Sequence, residues 1–275
     1  MKVAYQGTLG SYGHQASMKH FKEKVNPIGY TLSEQVVEAL IDKKVDYAIL
    51  PVENSIIGNI DINMDLIYKN EIKAIDECYI PIKHCLLGKP GTCLKDIKTV
   101  YSHPAALGQC RDFLVKNNIQ PISYFDTAGA CQKVEKNEDG SVAAIASSFS
   151  ENFYDVTVIE EGIQKVENNV TRFLSLTVSE DYKKLKKGEQ GKAMIAFNTK
   201  NKPGALLEVL KVFELFNINL TKLESMPIPE NLFQYTFFLE LETDQGNEQI
   251  TKCFQVLEGI GINFKVTGSF RSQSV

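Results

Sequence analysis

The sequence predicts an α/β protein with about two domains. Through roughly the first 180 residues, short apolar runs typical of buried strands alternate with segments of helical periodicity. That order is typical of parallel strands joined by helices. The last stretch of roughly 80 residues follows the order strand, helix, strand, strand, helix, strand, which is the ferredoxin-like, split-βαβ plan. A length of 275 residues agrees with two such domains.

The first part of the chain predicts one α/β lobe. Residues 3–5 form a short apolar strand, and a glycine-rich turn leads into a helix that starts at about His14. Residues 31–34 fit a capping box, with Thr31 at the start of a second helix. The apolar run 47–52 continues directly into Glu53, which predicts a strand with a polar end.

Residues 78–159 predict a second lobe of the same kind. A strand ends at Ser102, one helix follows through Leu114, and Asp126 is placed to cap a further helix. Ligands bind at the carboxyl ends of the strands in open α/β sheets. Glu53 and Ser102 therefore mark a predicted cleft between the two lobes.

The domain boundaries follow from these elements and from a change in composition. The chain returns to the first lobe near Thr171, and a charged, glycine-containing stretch then separates two apolar strands, as domain linkers commonly do. The predicted boundaries are 1–77 with 160–180 for the first lobe, 78–159 for the second lobe, 181–191 for the linker and 192–275 for the second domain.

Composition and charge exclude several functional classes. Apolar residues make up 43% of the chain, and 30 basic residues face 34 acidic ones, for a net charge of −4. With no basic block, the chain has no feature that attracts nucleic acid or an anionic membrane. Its apolar runs are shorter than a membrane span, and its first residues turn polar before a signal-peptide core could form. We therefore expect a cytoplasmic protein.

The six cysteines predict reduced thiols, because their spacing is irregular and contains no C-x-x-C pair. Cys78, His84, Cys85 and Cys93 are the one group worth considering as metal ligands. Residues 80–87 read as a strand, which places His84 and Cys85 on opposite faces. Paired ligand spacing is also missing, so we expect no metal site.

Arg172 stands out as one of only three arginines in the chain. It follows Thr171 at the start of an apolar run that reads as a buried strand. A guanidinium in that position must be paired, because an unpaired buried charge is too costly to keep. Three alternatives remain open from the residues alone: a structural ion pair, the end of a strand at the surface, or a residue of a functional site.

Five short motifs follow one another along the first 173 residues. They are Gly7-Thr8-Leu9-Gly10-Ser11-Tyr12, Pro51-Val52-Glu53-Asn54-Ser55, Ser102-His103-Pro104 with Gln109, Asp126-Thr127-Ala128, and Asn169-Val170-Thr171-Arg172-Phe173. In this order and spacing they resemble the prephenate dehydratase family, which usually has proline where Thr8 stands. The resemblance covers nearly the whole chain, and the C-terminal module is similar to the ACT domain of that family. It implies a two-lobed, periplasmic-binding-protein-like catalytic domain followed by an ACT regulatory domain.

The resemblance implies a lyase that converts prephenate to phenylpyruvate in L-phenylalanine biosynthesis. Prephenate loses carbon dioxide and its ring hydroxyl, and aromatisation drives the reaction, so no cofactor, metal or covalent nucleophile is expected. The hydroxyl needs a hydrogen bond or a proton as it departs. Thr171 is expected to donate that hydrogen bond, and Glu53 is the candidate proton source if the cleft raises its pKa. Arg172 is expected to clamp a carboxylate in bidentate fashion.

The remaining predicted site residues are polar or glycine residues at strand ends and turns. The catalytic set is completed by Asn54, Ser102 and Gln109, and the substrate-binding set is Gly7, Gly10, Ser11, Ser55, His103, Asn169 and Phe173. One conflict remains: neighbours in a regular strand face opposite sides, so Thr171 and Arg172 reach one pocket only if the strand has not yet begun.

The ACT resemblance implies feedback control by L-phenylalanine, although Met226 stands where the family usually has arginine. The residues expected to bind this effector are Gly204, Ala205, Leu206, Leu207, Asn219, Leu220, Glu224 and Ser225. A split-βαβ sheet leaves edge strands with free backbone groups, which favours a homodimer or homotetramer.

Two alternatives to this function remain. Arogenate dehydratase shares the fold and mechanism, with an amino group in place of the keto oxygen of the substrate, and the motifs do not separate the two. A non-enzymatic, two-lobed amino-acid-binding protein is the alternative from a different class.

Overall fold

A computed structural model describes residues 1–22, 25–178, 190–228, 234–244 and 248–273. Within these residues the chain forms fifteen strands and eight α-helices. The strands are β1 (Lys2–Gln6), β2 (Asn26–Tyr30), β3 (Tyr47–Asn54), β4 (Gly58–Asn59), β5 (Lys73–Pro81), β6 (Cys85–Gly88), β7 (Thr99–Ser102), β8 (Gln120–Ser123), β9 (Val142–Ala146), β10 (Thr157–Glu160), β11 (Val170–Thr177), β12 (Gln190–Asn198), β13 (Leu220–Pro227), β14 (Tyr235–Asp244) and β15 (Phe264–Arg271). The helices are α1 (Tyr12–Phe21), α2 (Ser33–Ile41), α3 (Asp61–Lys69), α4 (Pro104–Gln109), α5 (Arg111–Lys116), α6 (Thr127–Glu135), α7 (Ala205–Leu215) and α8 (Glu248–Gly259).

The chain divides into two compact units. The first comprises Met1–Ile60 and Cys78–Phe173, and the second comprises Asp61–Glu77 and Leu174–Val275. The second unit therefore takes in two segments that the sequence analysis assigned to the first lobe, residues 61–77 and the part of 160–180 that follows Phe173. The linker predicted at 181–191 lies mostly outside the described residues, and β12 already begins at Gln190.

The first lobe of unit 1 contains a parallel sheet in which β1 lies between β2 and β3. Its core is apolar because the buried positions of these strands carry Val3, Tyr5 and Ile49, which pack with Ala16 of α1. The capping box expected at Thr31 is wrong. Helix α2 begins one residue later, with Leu32 as its N-cap, and Gln35 Oε1 accepts a hydrogen bond from the Leu32 N–H at 3.1 Å.

The second lobe of unit 1 is a five-stranded mixed sheet in the order β10-β6-β9-β7-β8. The helix predicted to run through Leu114 is divided at Cys110, which ends α4 and precedes α5. The strand predicted over residues 80–87 is also divided, since β5 ends at Pro81 and β6 begins at Cys85. The cap predicted at Asp126 is confirmed, because its carboxylate accepts a hydrogen bond from the Ala128 N–H at 3.2 Å.

The C-terminal part of unit 2 confirms the split-βαβ prediction. Strands β13, β14, β12 and β15 form an antiparallel sheet in that order, with β13 at its edge. The apolar faces of α7 and α8 pack against it through Val209, Phe213, Cys253 and Leu257. The periodic apolar stripes of the two helices therefore predicted this core correctly.

Residues 61–77 pack against the same sheet. Strand β5 pairs with β15 in parallel at Ala74 and Gly268. A Cβ added to Gly268 would lie 2.6 Å from the Ala74 Cβ, so glycine permits this close approach. Nearby, the buried Glu77 carboxylate lies 3.0 Å from the Lys192 Nζ. Over the described residues as a whole, no helix has the length and apolar character needed to cross a membrane.

Candidate functional site

Unit 1 contains a cavity of about 970 Å³ between its two lobes. The lining includes residues of four segments, which join β1 to α1, β2 to α2, β7 to α4 and β8 to α6. Each of these segments carries the chain from the carboxyl end of a strand to the start of a helix. The cavity therefore lies at the carboxyl ends of strands from both lobes, although neither Glu53 nor Ser102, which marked the predicted cleft, lines it.

The starts of these helices give the cavity a favourable environment for an anion. The first N–H groups of a helix have no partner within it, and the peptide dipoles place partial positive charge there. Of the described residues that line the cavity, none is lysine or arginine, and Asp126 is the one carboxylate. Backbone amides and polar side chains must therefore balance the charge of an anionic ligand in this cavity.

Asp126 joins the two lobes at the cavity wall. Its Oδ2 atom accepts hydrogen bonds from the Thr8 N–H at 2.8 Å and from the Thr8 hydroxyl at 2.7 Å. Its Oδ1 atom caps α6 through Ala128. A proline at position 8 would supply neither donor to Asp126, so the threonine in this sequence creates a contact between the lobes.

Thr171 and Phe173 both line the cavity, as alternate residues of β11. Arg172, between them, is absent from the lining, and its Nη1 atom lies 3.6 Å from Glu53 Oε2. Glu53 likewise does not line the cavity, whereas its neighbour Asn54 does. Because β11 already begins at Val170, Thr171 and Arg172 cannot face the same side. The structure thus shows the ion pair that was one of the alternatives for Arg172.

The Thr171 hydroxyl belongs to a line of polar side chains. Asn54 Nδ2 donates to Thr171 Oγ1 at 2.9 Å and to Asn169 Oδ1 at 2.7 Å. Asn169 Nδ2 donates to Gln109 Oε1 at 2.9 Å, and that oxygen lies 3.0 Å from His84 Nε2. We call these five residues the amide network. Since Thr171 Oγ1 accepts from Asn54, its own proton is available for a ligand in the cavity.

The other residues predicted for the site divide into two groups. Gly7, Ser11 and His103 line the cavity, as do Asn54, Gln109, Thr171 and Phe173, already described. Gly10, Ser55, Ser102 and Asn169 do not, and Asn169 is 1% exposed. The Ser102 hydroxyl is fully buried and donates to the Ile145 carbonyl at 2.6 Å, within the sheet of the second lobe.

Ser55 and Gly10 hold backbone close to the site. The Ser55 hydroxyl accepts from the Val170 N–H at 3.0 Å and donates to the Asn168 carbonyl at 3.2 Å, which positions the start of β11. Gly10 has a φ of +83°, and an added Cβ would lie 3.1 Å from Ser150 Cα. Glycine is therefore required at this turn for both conformation and space.

Sequence reasoning missed His84 and assigned no role to Tyr12. Both line the cavity, and the Tyr12 hydroxyl donates to the Lys83 carbonyl at 2.8 Å and lies 3.4 Å from His84 Nδ1. Burial lowers the pKa of His84 to about 4, although the hydrogen bond to Gln109 acts in the opposite direction. Burial also raises the pKa of Tyr12 well above its usual range. Both side chains are therefore neutral at pH 7.

In unit 2, the predicted effector residues lie at the start of α7 and along β13. Gly204 is the N-cap of α7 and has a φ of +83°. Ala205 is buried and Leu206 packs against the core, whereas 54% of Leu207 is exposed. Asn219 Nδ2 donates to Glu242 Oε2 at 2.7 Å, while the edge strand carries the rest of the predicted set, Leu220, Glu224 and Ser225.

Comparison with known proteins matches both parts of the chain. The family model for prephenate dehydratase matches residues 3–181, and the model for the ACT domain matches residues 193–259. Arogenate dehydratase/prephenate dehydratase 1 of Arabidopsis thaliana is 34% identical over 286 residues, which cover 98% of this chain and 72% of that protein. The prephenate dehydratase of Lactococcus lactis subsp. cremoris is 32% identical over 279 residues, covering 100% of this chain and 99% of the relative.

Solved structures agree with these matches. The crystal structure of the prephenate dehydratase from Staphylococcus aureus has a TM-score of 0.83 at 28% identity, covering 98% of this chain and 100% of that one. The prephenate dehydratase of Arthrobacter aurescens in complex with L-Phe has a TM-score of 0.88 at 24% identity, covering 99% and 90% of the two chains. This second likeness shows the common fold.

Proposed function

Since this chain belongs to the prephenate dehydratase family of lyases, we propose that Thr171 is its catalytic hydrogen-bond donor, acting on prephenate in the cavity of unit 1. The observation that carries this proposal is the position of the Thr171 hydroxyl. It lines the cavity and accepts a hydrogen bond from Asn54 Nδ2 at 2.9 Å, so its proton can be directed at a ligand.

The reaction needs little from the protein beyond orientation and help for the leaving group. As the bond from the ring to the carboxylate breaks, its electron pair moves into the ring, and the bond to the hydroxyl breaks on the opposite carbon. Carbon dioxide and hydroxide leave, solvent protonates the hydroxide, and the ring becomes aromatic. The Thr171 hydroxyl donates to the departing oxygen, where negative charge develops, and a hydrogen bond of that kind lowers the barrier.

Prephenate is a dianion, and the starts of the helices around the cavity can accept its charge. The starts of α1 and α2 supply the electrostatic partners for the carboxylates in this proposal, whereas the start of α6 is already capped by Asp126. Arg172 is assigned a structural role, because its guanidinium lies beside Glu53 and neither residue lines the cavity. This differs from the sequence-based expectation that Arg172 would clamp a carboxylate.

Incubation of the purified chain with prephenate and, separately, with arogenate tests the proposed substrate. Prephenate should yield phenylpyruvate and arogenate should yield phenylalanine, and these products differ in mass. We expect turnover of prephenate. Conversion of arogenate alone would instead support the alternative indicated by the Arabidopsis relative, which carries both names. Binding without conversion of either compound would support the non-enzymatic alternative.

We further propose that L-phenylalanine regulates this enzyme through the ACT domain. The related protein from Arthrobacter aurescens was solved in complex with L-Phe. In this chain, the N-cap residue Gly204 has no side chain that could cap α7, and a helix start is suited to the carboxylate of an amino acid. The adjacent Leu207 is exposed and can contact an apolar side chain.

The edge of the ACT sheet supports the proposal of a homodimer or homotetramer. Strand β13 is the outermost strand of the sheet, so among the described residues no strand of this sheet neighbours one side of its backbone. On this strand 42% of Leu223 is exposed. A second copy of β13 related by a two-fold axis would satisfy both its backbone groups and this apolar surface.

A further inference from the structure

We propose that His84 is a positioning residue for the dehydration, acting through Gln109, Asn169 and Asn54 on the Thr171 hydroxyl. The inference rests on the proposed function of Thr171 and adds a residue that no motif identified. Its basis is the direction of each hydrogen bond in the amide network, which can be followed from one end to the other.

The direction is set first at Asn54. Its Oδ1 atom accepts from the backbone N–H groups of Ile56 and Ile57, both at 3.0 Å. Backbone N–H groups can only donate, so this atom must be the amide oxygen. The Nδ2 atom therefore points the other way, where it donates to Asn169 Oδ1 and Thr171 Oγ1.

The direction of the hydrogen bonds from Asn169 through Gln109 to His84 follows from that of Asn54. Because Asn169 Oδ1 accepts from Asn54, its Nδ2 must be the atom that donates to Gln109 Oε1. That oxygen can only accept, so the His84 Nε2 at 3.0 Å must carry a proton. The network thus requires the Nε2–H tautomer of His84. In this tautomer, His84 is the hydrogen-bond donor at one end of the network, as Asn54 is at the other.

His84 is held firmly enough to perform this role. Its backbone N–H donates to Gln164 Oε1 at 2.9 Å, and its carbonyl accepts from the Ile163 N–H at 3.1 Å. The residue is buried, with 3% of its surface exposed. Nε2 is used by Gln109, and Nδ1 lies 3.4 Å from the Tyr12 hydroxyl, so both ring nitrogens are directed at the protein.

Without the Nε2–H group, Gln109 would lose the donor that holds its amide oxygen toward Asn169. A glutamine amide has nearly the same shape when rotated by half a turn, so the rotated form would place a donor against Asn169 Nδ2. Two facing donors disrupt the line of hydrogen bonds. Asn169 and Asn54 would then hold the Thr171 hydroxyl less strictly, and turnover would fall while substrate binding persisted.

Kinetics of two matched variants test this role with prephenate as the substrate. In His84→Gln the amide nitrogen can occupy the place of Nε2, whereas the shorter side chain in His84→Asn reaches only the place of Nδ1. We expect kcat to stay within about threefold in His84→Gln and to fall about tenfold in His84→Asn, with KM unchanged in both, as the loss of one hydrogen bond predicts. Equal kcat values in the two variants, or a rise in KM with unchanged kcat, would overturn the proposal.

A double substitution tests whether His84 acts through Thr171. In a Thr171→Val background the hydroxyl is gone, so adding His84→Asn should lower kcat no further. A second tenfold loss in that background would show that His84 acts by another route.

The tautomer can be measured in the unsubstituted full chain, independently of activity. Long-range ¹H–¹⁵N correlation spectra of the histidine-labelled protein at pH 7 should show a neutral His84 with its proton on Nε2. The signal is identified by its disappearance in His84→Gln. A proton on Nδ1 would refute the network while leaving the proposed function intact, whereas failure to convert prephenate would refute the proposed function and, with it, the role in catalysis.

Discussion

At the residue scale, strand alternation decides between two alternatives that the sequence left open. Thr171 and Arg172 are neighbours in a motif, and both were expected at the substrate. Strand β11 begins at Val170, so their side chains point to opposite faces. Thr171 lines the cavity, whereas Arg172 lies beside Glu53. Motif membership identified a segment that lines the cavity, but only the start of the strand determines which of its residues face the cavity.

His84 shows why part of the site could not be predicted. The apolar pattern of residues 80–87 predicts one continuous strand, so the alternation rule gave His84 a position on a regular face. The observed break at residues 82–84 turns this side chain toward Gln109. Pro81 is the one local signal of the break, because proline is disfavoured within a central strand. Asn54, Gln109 and Thr171 were predictable because they lie in recognisable motifs.

The lowered pKa of His84 predicts a dependence of stability on pH. Burial reduces the pKa from 6.5 to about 4 in the folded protein. Between these values the unfolded chain binds a proton that the folded chain does not, so the free energy of unfolding falls as the pH decreases from about 6.5 to about 4. The difference between these two pKa values corresponds to about 3 kcal/mol in the free energy of unfolding.

Urea unfolding between pH 7 and pH 4 measures this effect. His84→Gln should reduce the pH dependence, while His14, whose pKa is also lowered by burial, contributes part of what remains. His103→Gln, at an exposed position outside the amide network, is measured alongside as the control for the loss of a histidine. If the free energy of unfolding of His84→Gln changed with pH as steeply as that of the unsubstituted protein, the prediction would be contradicted.

At the scale of elements, local patterns predicted the helices and the split-βαβ order, because the amphipathic pattern of a helix depends only on residues close together in the sequence. They did not predict that residues 61–77 pack with the C-terminal sheet. That packing pairs Ala74 with Gly268, nearly two hundred positions away, and no local pattern specifies such a partner. The cap of α2 was misplaced by one residue, because Gln35 accepts from the Leu32 N–H.

The buried ion pair that joins β5 to β12 predicts a large loss on substitution. Glu77 is 1% exposed, and its carboxylate lies 3.0 Å from Lys192 Nζ. Lys192→Met would leave a buried carboxylate without this cation, at a cost of about 3–5 kcal/mol in the free energy of unfolding.

Thermal and urea unfolding of Lys192→Met and a control variant measure this loss. The control is Lys202→Met, which removes an exposed pair with Glu208 at 3.1 Å and should change the free energy by less than about 1 kcal/mol. Equal effects of the two substitutions would contradict the importance of the buried pair.

At the scale of the whole molecule, the ACT domain predicts both assembly and regulation. The edge strand β13 and its exposed Leu223 favour pairing between copies. We expect light scattering at micromolar concentration to show a dimer or tetramer, whereas a particle of 30.8 kDa, with and without L-phenylalanine, would contradict this prediction.

L-Phenylalanine should also bind the intact protein and inhibit turnover of prephenate. Because coupling between sites is reciprocal, a substrate analogue in the cavity should weaken phenylalanine binding by the same factor. Isothermal titration calorimetry with and without the analogue measures both affinities. Met226→Arg, which restores the residue usual in the family, should change the affinity for phenylalanine. Calorimetry that detects no binding to the unsubstituted protein would refute the regulatory role.

The central claim is that the Thr171 hydroxyl assists the departing oxygen, and steady-state turnover of prephenate by two variants tests it most directly. Thr171→Ser keeps the hydroxyl and should retain kcat within about tenfold, whereas Thr171→Val keeps the shape without the hydroxyl and should lower kcat by about 10²–10³. Circular dichroism and thermal unfolding establish that both variants are folded. A folded Thr171→Val variant with the kcat of the unsubstituted enzyme would contradict the account.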